Sequence, residues 1–131
     1  MTLYWYNGAY GSFYIGSIKD DSQKNKGWFI GPFVEPGLRN TDALEIKAWH
    51  FATGPSSHAA KSQREALEIN IVTRGRLRGT VDGETIEISA GQFIVIPPGI
   101  KSDLPQEALE DSEGFCIKTP SIPEDKQELT A

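Results

Sequence analysis

Two polar side chains, Glu68 and Asn70, stand within a run of β-branched and apolar residues and are the first candidates for chemistry. The run, residues 67–73, predicts a strand, and residues two apart on a strand point to the same face. A carboxylate and an amide on a buried face each need hydrogen-bond partners. We therefore predict a polar ligand or ordered water beside them, with a self-contained internal network as the alternative.

Lys47 and Trp49 form a second pair on one face of a predicted strand, residues 44–51, and Glu45 lies beside Lys47. An aromatic wall next to charged donors suits stacking on a sugar or another small polar molecule. The alternative is a core tryptophan beside a surface ion pair.

Familiar catalytic patterns are missing from the sequence. It contains no Gly-x-Ser-x-Gly elbow, no His-Glu-x-x-His helix and no glycine-rich phosphate loop. The one cysteine, Cys116, lies in an apolar run, so we expect a small buried hydrophobe and no internal disulfide. The two histidines, His50 and His58, are expected in ordinary structural or exposed positions.

Charge and composition narrow the class of partner. The chain has 131 residues and a net charge of −5, which suits one domain and disfavours nucleic acid as a partner. The basic cluster of Arg74, Arg76 and Arg78 is expected on a solvated strand face. No apolar run approaches the ~20 residues that cross a bilayer, and no secretory signal is recognisable. We therefore expect no membrane partner and a cytoplasmic protein.

Short strands separated by glycine and proline turns dominate from residue 27 onward. Asp82-Gly83 predicts a tight hairpin, and residues 62–67 predict at most one turn of helix. The pattern favours an antiparallel all-β sandwich or barrel. The predicted units are an aromatic N-terminal arm with a polar loop (1–26), a barrel (27–123) and a polar tail (124–131). The predicted strands are 28–30, 44–51, 67–73, 76–81, 85–88, 93–96 and 115–118.

The order of these features resembles the cupin superfamily. Residues 91–99 read Gly-Gln-Phe-Ile-Val-Ile-Pro-Pro-Gly and are similar to the second cupin motif. Glu68 and Gly75 are spaced like the end of the first motif. The resemblance implies a single cupin-type β-barrel, also called a double-stranded β-helix or jelly roll. In it, the apolar run before Pro97 fills the barrel, and the turn after it swings the chain back toward the mouth.

The metal-ligand half of the cupin pattern is mostly missing. The resemblance implies two histidines near residues 61–64, which read Lys-Ser-Gln-Arg, and a third at the position of Ser102. Of the four implied ligands only Glu68 remains, and one carboxylate cannot hold a transition metal tightly. We therefore expect no metal and no other cofactor. The alternative is a weak metal site rescued by His58, with help from Glu65.

Two residues at or near the positions of the missing histidines, Arg64 and Ser102, complete the predicted ligand-binding set. The other members are Glu68, Asn70, Lys47 and Trp49. Arg64 either binds an anion such as a carboxylate or phosphate, or is a solvated loop arginine. Ser102 either donates a hydrogen bond at the barrel mouth or caps the turn.

These observations predict a metal-free, small-molecule-binding cupin that holds a polar or sugar-like ligand in its barrel. One alternative is an enzyme, either a metal-independent isomerase, epimerase or lyase, or a weak metalloenzyme using Glu68 and His58. Another is a structural dimer with a filled barrel. The aromatic segment 1–16 is surplus to a small barrel, so we expect it to join a homodimer interface. The alternative is an arm that closes one end of its own barrel.

Overall fold

Most of the molecule consists of short strands whose side chains point alternately inward and outward. The computed structural model describes residues 13–56, 60–63, 65–122 and 125–129. Within these ranges a short helix, α1 (Ile18–Ser22), and a 3-10 turn (Gln23–Asn25) precede the sheets. The strands are β1 (Trp28–Ile30), β2 (Glu45–Phe51), β3 (Gly54–Pro55), β4 (Ala60–Gln63), β5 (Leu67–Arg74), β6 (Arg76–Val81), β7 (Glu84–Ser89), β8 (Phe93–Ile96), β9 (Ser102–Ala108), β10 (Ser112–Thr119) and β11 (Lys126–Leu129).

The strands form two antiparallel sheets. The first has the order β1-β2-β10-β5-β8, and the second has the order β11-β4-β9-β6-β7, with β3 added beside β9. Strand β10 lies between β2 and β5, so its two neighbours both come from much earlier in the chain. This crossing order is that of a jelly roll, and the prediction of an all-β cupin-type fold is confirmed.

The two sheets pack face to face through an apolar cluster. Val72 of β5 meets Leu77, Ile88 and Ala108 of the second sheet, and each of these side chains is almost fully buried. Further side chains from both sheets pack against the cluster: Trp49, Phe51, Ile94 and Leu104. The cluster closes one end of the space between the sheets.

Two turns explain residues that the sequence singled out. Gly75 joins β5 to β6 at a φ of 88°, and a Cβ there would collide with the hydroxyl group of Ser112. Both facts favour glycine at the end of the first motif. Asp82 and Gly83 join β6 to β7 with φ of 51° and 80°, so the predicted tight hairpin is confirmed.

The second motif brings the chain back toward β4. After β8 the turn reaches Gly99, whose amide N–H donates to the carbonyl oxygen of Gln63 at 2.7 Å. Ser102 then lies opposite Lys61 in the sheet. The expectation that the apolar run fills the barrel holds for only half of it, because strand alternation turns the other half outward. Phe93 is 69% exposed and Val95 is also exposed.

Strands β4 and β9 differ from the sequence prediction because pairing with other strands outweighs the local sequence pattern. In the segment 62–67, the described residues 62, 63 and 65–67 are not helical: β4 extends to Gln63, where it pairs with β11. Strand β9 was not predicted because Pro105 interrupts its pattern. Its pairing with β6 shifts register between Arg78 and Thr80, and such a bulge accommodates proline.

Both terminal segments contain secondary structure that their polar composition did not predict: helix α1 near the start and strand β11 near the end. Within the predicted polar loop, the side chain of Ser17 caps α1 by accepting a hydrogen bond from the Asp20 amide at 3.3 Å. Within the predicted tail, β11 pairs with β4. Asp125, just before β11, is buried, and its carboxylate accepts amide hydrogen bonds from Glu65 and Ala66, both at 2.9 Å.

The basic cluster lies in solvent, as predicted. Arg74 pairs with Glu113 at 3.3 Å and Arg78 pairs with Glu87 at 2.9 Å, with all four side chains well exposed. Exposed pairs of this kind contribute little to stability, about 0–1 kcal/mol each. Across the described ranges, the structure has no helix long and apolar enough to cross a bilayer.

Candidate ligand-binding site

A cavity of about 180 Å³ lies between the two sheets. Both sheets contribute to its wall, and the lining side chains fall into a polar group and an apolar group. The polar group is Lys47, Lys61, Asn70 and Lys118, with Cys116 among them. The apolar group is Trp28, Trp49, Phe51, Val72, Leu77, Ile88, Leu104 and Pro105.

The strand register explains this division. Across β2, β10 and β5, one row of Cα partners joins Glu45, Lys118 and Glu68. Two residues along each strand, the next row on the same face joins Lys47, Cys116 and Asn70. A third row joins Trp49, Gly114 and Val72. The wall therefore changes from charged to apolar along the strands, toward the core cluster.

Glu68 lies behind the wall, in contact with two of the lining side chains, and is 3% exposed. Its carboxylate is satisfied by the protein itself. The Lys61 ammonium lies 3.2 Å from Oε1, and the Asn70 amide donates to Oε2 at 2.9 Å. Gln63 makes a longer contact, with its amide donating to Oε1 at 3.4 Å. The expectation that Glu68 and Asn70 share a face is met, and the ammonium that neutralises Glu68 was missed.

Lys118 is a second charged residue that the sequence analysis missed. It is 9% exposed and lines the cavity, yet its ammonium makes no hydrogen bond or ion pair with any residue the structure describes. Burial and the nearby Lys61 ammonium both lower the pKa of Lys118. A period-two reading of the predicted strand at residues 115–118 would have placed Lys118 beside Cys116 on one face.

The ring of Trp28 contacts two of the lysine ammonium groups. The Nζ atom of Lys118 lies 5.5 Å from the centre of its ring and that of Lys47 lies 5.7 Å away. Both distances are within cation–π range. Two lysines from adjacent strands are thus directed at one part of the cavity.

Trp49 forms part of the apolar wall. Its ring packs on Phe51 with centroids 5.3 Å apart and contacts the core cluster. Gly114 lies opposite Trp49 in the sheet, and a Cβ at this glycine would collide with the indole and with the carbonyl oxygen of Ile71. Trp49 therefore packs on the core cluster and also lines the cavity, and its predicted role in stacking on a ligand stays a prediction.

The remaining predicted site residues stand apart from this arrangement or outside the described chain. Ser102 is 3% exposed in β9, and its hydroxyl has no hydrogen-bond partner among the residues described. It therefore caps no turn. Glu65 and His50 are exposed. Arg64 and His58 lie outside the described residues, so their predicted roles stay predictions.

The residues present do not fit a cupin metal centre. The stretch that the resemblance assigns to two histidines supplies Lys61 and Gln63 beside Glu68. A protonated lysine offers no lone pair to a metal, and its charge already neutralises the carboxylate. Over the described ranges there is no group of three or more His, Cys, Asp or Glu side chains that could hold a metal ion.

Cys116 is buried in the same wall, as expected. Burial raises the pKa of its thiol to about 11, and the Glu68 carboxylate adds to the effect. The nucleophilic form is the thiolate, so this cysteine is a packing residue rather than a reactive group at neutral pH.

Known proteins share this fold and part of this sequence. Residues 48–108, from within β2 to the end of β9, match the sequence model of the cupin domain. No curated protein sequence matches the chain. Among solved structures, a protein with a double-stranded β-helix domain from Klebsiella pneumoniae has a TM-score of 0.64 at 14% identity, over 89% of this chain and 97% of that one.

Two further structures are similar over the barrel. A cupin protein from Bacteroides fragilis has a TM-score of 0.54 at 24% identity, covering 70% of this chain and 75% of that one. KdgF from Halomonas sp. has a TM-score of 0.52 at 25% identity, covering 64% and 74%. The matched domain and the shared jelly roll agree with the two motifs around Glu68 and Pro97. These findings support membership of the cupin superfamily.

Proposed function

We propose that this cupin binds a small polar molecule in the cavity between its sheets and does so without a metal. The observation that carries the proposal is the Lys61–Glu68 ion pair beside an open cavity. The ammonium supplies the positive charge that a buried carboxylate requires. The cavity beside the pair is left open rather than filled with apolar side chains.

The size and lining of the cavity support a ligand. An engineered cavity of roughly 150 Å³ in another protein holds a benzene molecule, so about 180 Å³ accommodates a molecule of that size or slightly larger. Asn70 and Lys47 offer polar groups and Trp49 offers a ring face. A few placed polar groups on an otherwise apolar wall are typical of ligand pockets.

The contacts of Glu68 favour binding over catalysis. A lone general base must reach a substrate proton with a free oxygen. Both oxygens of Glu68 are already engaged, one by Lys61 and the other by Asn70. Glu68 is also 3% exposed and is not one of the side chains that line the cavity. A substrate in the cavity would therefore reach its carboxylate only after the wall rearranges, whereas binding requires no such change.

The ligand half of the proposal is tested by nuclear magnetic resonance titration with a panel of sugars, polyols and small polar molecules. Binding in the cavity should shift the indole resonances of Trp28 and Trp49. Asn70→Ala should weaken the binding, while Thr73→Ala, on the exposed face of the same strand, should leave it unchanged. If no compound perturbs either indole, the proposal fails.

The metal half is tested by elemental analysis. Protein is purified, incubated with manganese, iron, nickel and zinc salts, passed through mild chelator and then measured. We expect far less than one metal ion per chain, because the site holds a lysine where a ligand is needed. Close to one ion per chain after chelation would contradict the metal-free proposal, and loss of that ion in a His58→Ala variant would assign it.

A further inference from the structure

We propose that the ligand is an organic anion, with a carboxylate or phosphate group on a compact apolar body. The inference rests on the proposed function of the cavity and names the class of molecule that fits it. Two features carry it: a buried ammonium that faces the cavity with no ion-pair partner among the described residues, and the apolar surface beyond that ammonium.

Among the residues that the structure describes, the Lys118 ammonium has no ion-pair partner. Lys61 is neutralised by Glu68 at 3.2 Å. Glu45, the other buried carboxylate of the row, accepts a hydrogen bond from the Ser121 hydroxyl at 3.2 Å. Lys118 stands between the two glutamates in the row but forms an ion pair with neither.

An ammonium in this position is poorly compensated by the protein. Lys118 is 9% exposed, and its ammonium lies 5.5 Å from the centre of the Trp28 ring. The Glu68 and Glu45 carboxylates are near enough to act on its charge, but among the described residues neither forms an ion pair with it. The cation–π attraction of a ring face stabilises the ammonium by less free energy than the hydration that it loses on burial. An anionic group bound in the cavity would supply the missing charge and accept the hydrogen bonds.

A second ammonium points to the same place. Lys47 also approaches the Trp28 ring, at 5.7 Å, so the two lysines converge from adjacent strands. Lysines act as point charges with rotatable donors, and they bind either a carboxylate or a phosphate. The convergence predicts one anionic head group held between Lys47 and Lys118.

The rest of the cavity specifies the body of the ligand. Beyond the row of Lys47 and Asn70, the wall is made by Phe51, Val72, Leu77, Ile88 and Leu104. Hydroxyl groups facing this wall would lose their hydrogen bonds to water without replacement. The ligand therefore carries its charge at one end and an apolar or aromatic group at the other.

Matched probes test the charge requirement directly. Benzoate and benzamide share size and shape but differ in charge, and phenyl phosphate replaces the carboxylate with a phosphate ester. Binding is measured by calorimetry and by the indole resonances of Trp28 and Trp49. We expect benzoate or phenyl phosphate to bind at least about tenfold more tightly than benzamide, as a charged hydrogen bond requires. The stronger of the two identifies the head group.

Variants assign the effect to the lysines. Lys118→Gln and Lys47→Gln should each weaken binding of the anionic probe by about tenfold and leave benzamide binding unchanged. Lys101→Gln makes the same chemical change at an exposed position and should have no effect. Circular dichroism confirms that each variant is folded. If Lys118→Gln does not fold, Lys118→Arg, which keeps the charge, should retain the preference for the anion.

The outcomes separate this inference from the proposed function. If benzamide or neutral sugars bind in the cavity as tightly as the anions, the anion inference is wrong and the binding function stands. If the lysine variants bind the anions as well as the parent does, the inference is also wrong. If no probe, charged or neutral, perturbs Trp28 or Trp49, the proposed function fails and the inference fails with it.

Discussion

Burial of the Lys118 ammonium carries a free-energy cost in the folded protein. Its ammonium is buried without a carboxylate partner among the described residues, and burial together with Lys61 lowers its pKa from 10.5. Besides Lys61, the groups that face it are Glu68, Glu45, Cys116 and the Trp28 ring. A stability cost at a binding position is common where function requires an unsatisfied group.

Replacing Lys118 by Met should therefore stabilise the protein while abolishing its preference for anions. Met has similar length and no charge, so we expect a gain of about 1 kcal/mol in the free energy of unfolding at pH 7. Urea unfolding monitored by circular dichroism measures this, with Lys101→Met as the exposed control. A loss of stability in Lys118→Met would show that its ammonium is compensated in the fold.

The pH dependence of that gain follows from the direction of the shift. The unfolded chain keeps the Lys118 proton up to about pH 10.5, whereas the folded protein releases it at a lower pH. Between those two pKa values the unfolded state binds more protons, so the stability of the parent rises with pH. The advantage of Lys118→Met is therefore full below the folded pKa and shrinks as the pH approaches 10.5. An advantage that grew with pH would contradict this assignment.

At the scale of elements, one residue without a side chain decides how β2 and β10 meet. Gly114 lies opposite Trp49, and the space of its missing Cβ is taken by the indole and by the Ile71 carbonyl oxygen. The Trp49 ring can therefore lie across β10 and reach the core cluster. Any side chain at Gly114 must displace Trp49, the backbone of β5, or both.

Gly114→Ala should destabilise the protein by about 1–3 kcal/mol, the usual cost of overpacking a core. Because the atoms nearest the added methyl include the outer ring of the indole, Trp49→Phe should relieve part of that cost. A double-mutant cycle in urea unfolding measures the coupling. Strict additivity of the two changes would mean that the Ile71 carbonyl oxygen, and not Trp49, opposes the methyl group.

At the scale of the whole molecule, the first sheet presents a second apolar face outward. The row Ile46, Ile117, Ile69 and Val95 crosses the four strands from β2 to β8, and the row Ala48, Phe115, Ile71 and Phe93 runs beside it. Phe93 and Val95 are 69% and 46% exposed. Contiguous apolar surface of this kind marks interaction sites more often than plain solvent-facing sheet.

We expect this outer face to form the interface of a homodimer. Light scattering at micromolar concentration should give twice the mass of the 14.4 kDa chain for the parent protein. The double variant Phe93→Lys and Val95→Lys should give a folded monomer, since two charges on each partner would be buried. Thr85→Lys, exposed on the second sheet, is the control. A monomeric parent would overturn the expectation.

The aromatic arm is tested separately, because residues 1–12 lie outside the described chain. Deleting residues 1–16 should give a folded monomer if the arm belongs to the interface. If the parent is monomeric and the deletion unfolds it, the arm closes its own barrel. A deletion that stays dimeric would leave the sheet face as the interface and remove the arm from it.

The sequence by itself determined most of the strands, the hairpin and the faces on which several site residues lie. Strand alternation has a period of two and is local, so Glu68 with Asn70 and Lys47 with Trp49 could be paired from spacing alone. The glycines and prolines of the two motifs fixed the turns for the same reason. The loss of the ligand histidines was equally visible, since it depends only on residue identity at a given position.

The tertiary structure decided which of these faces meet. Lys118 joins Glu68 and Glu45 in one row only because β10 inserts between β2 and β5, strands from distant parts of the chain. Lys61 neutralises Glu68 because β4 is a strand rather than a helical turn. Pairing between distant strands depends on the packing energy of the whole molecule, which cannot be calculated from a short segment of sequence. That pairing sets which charged side chains line the cavity.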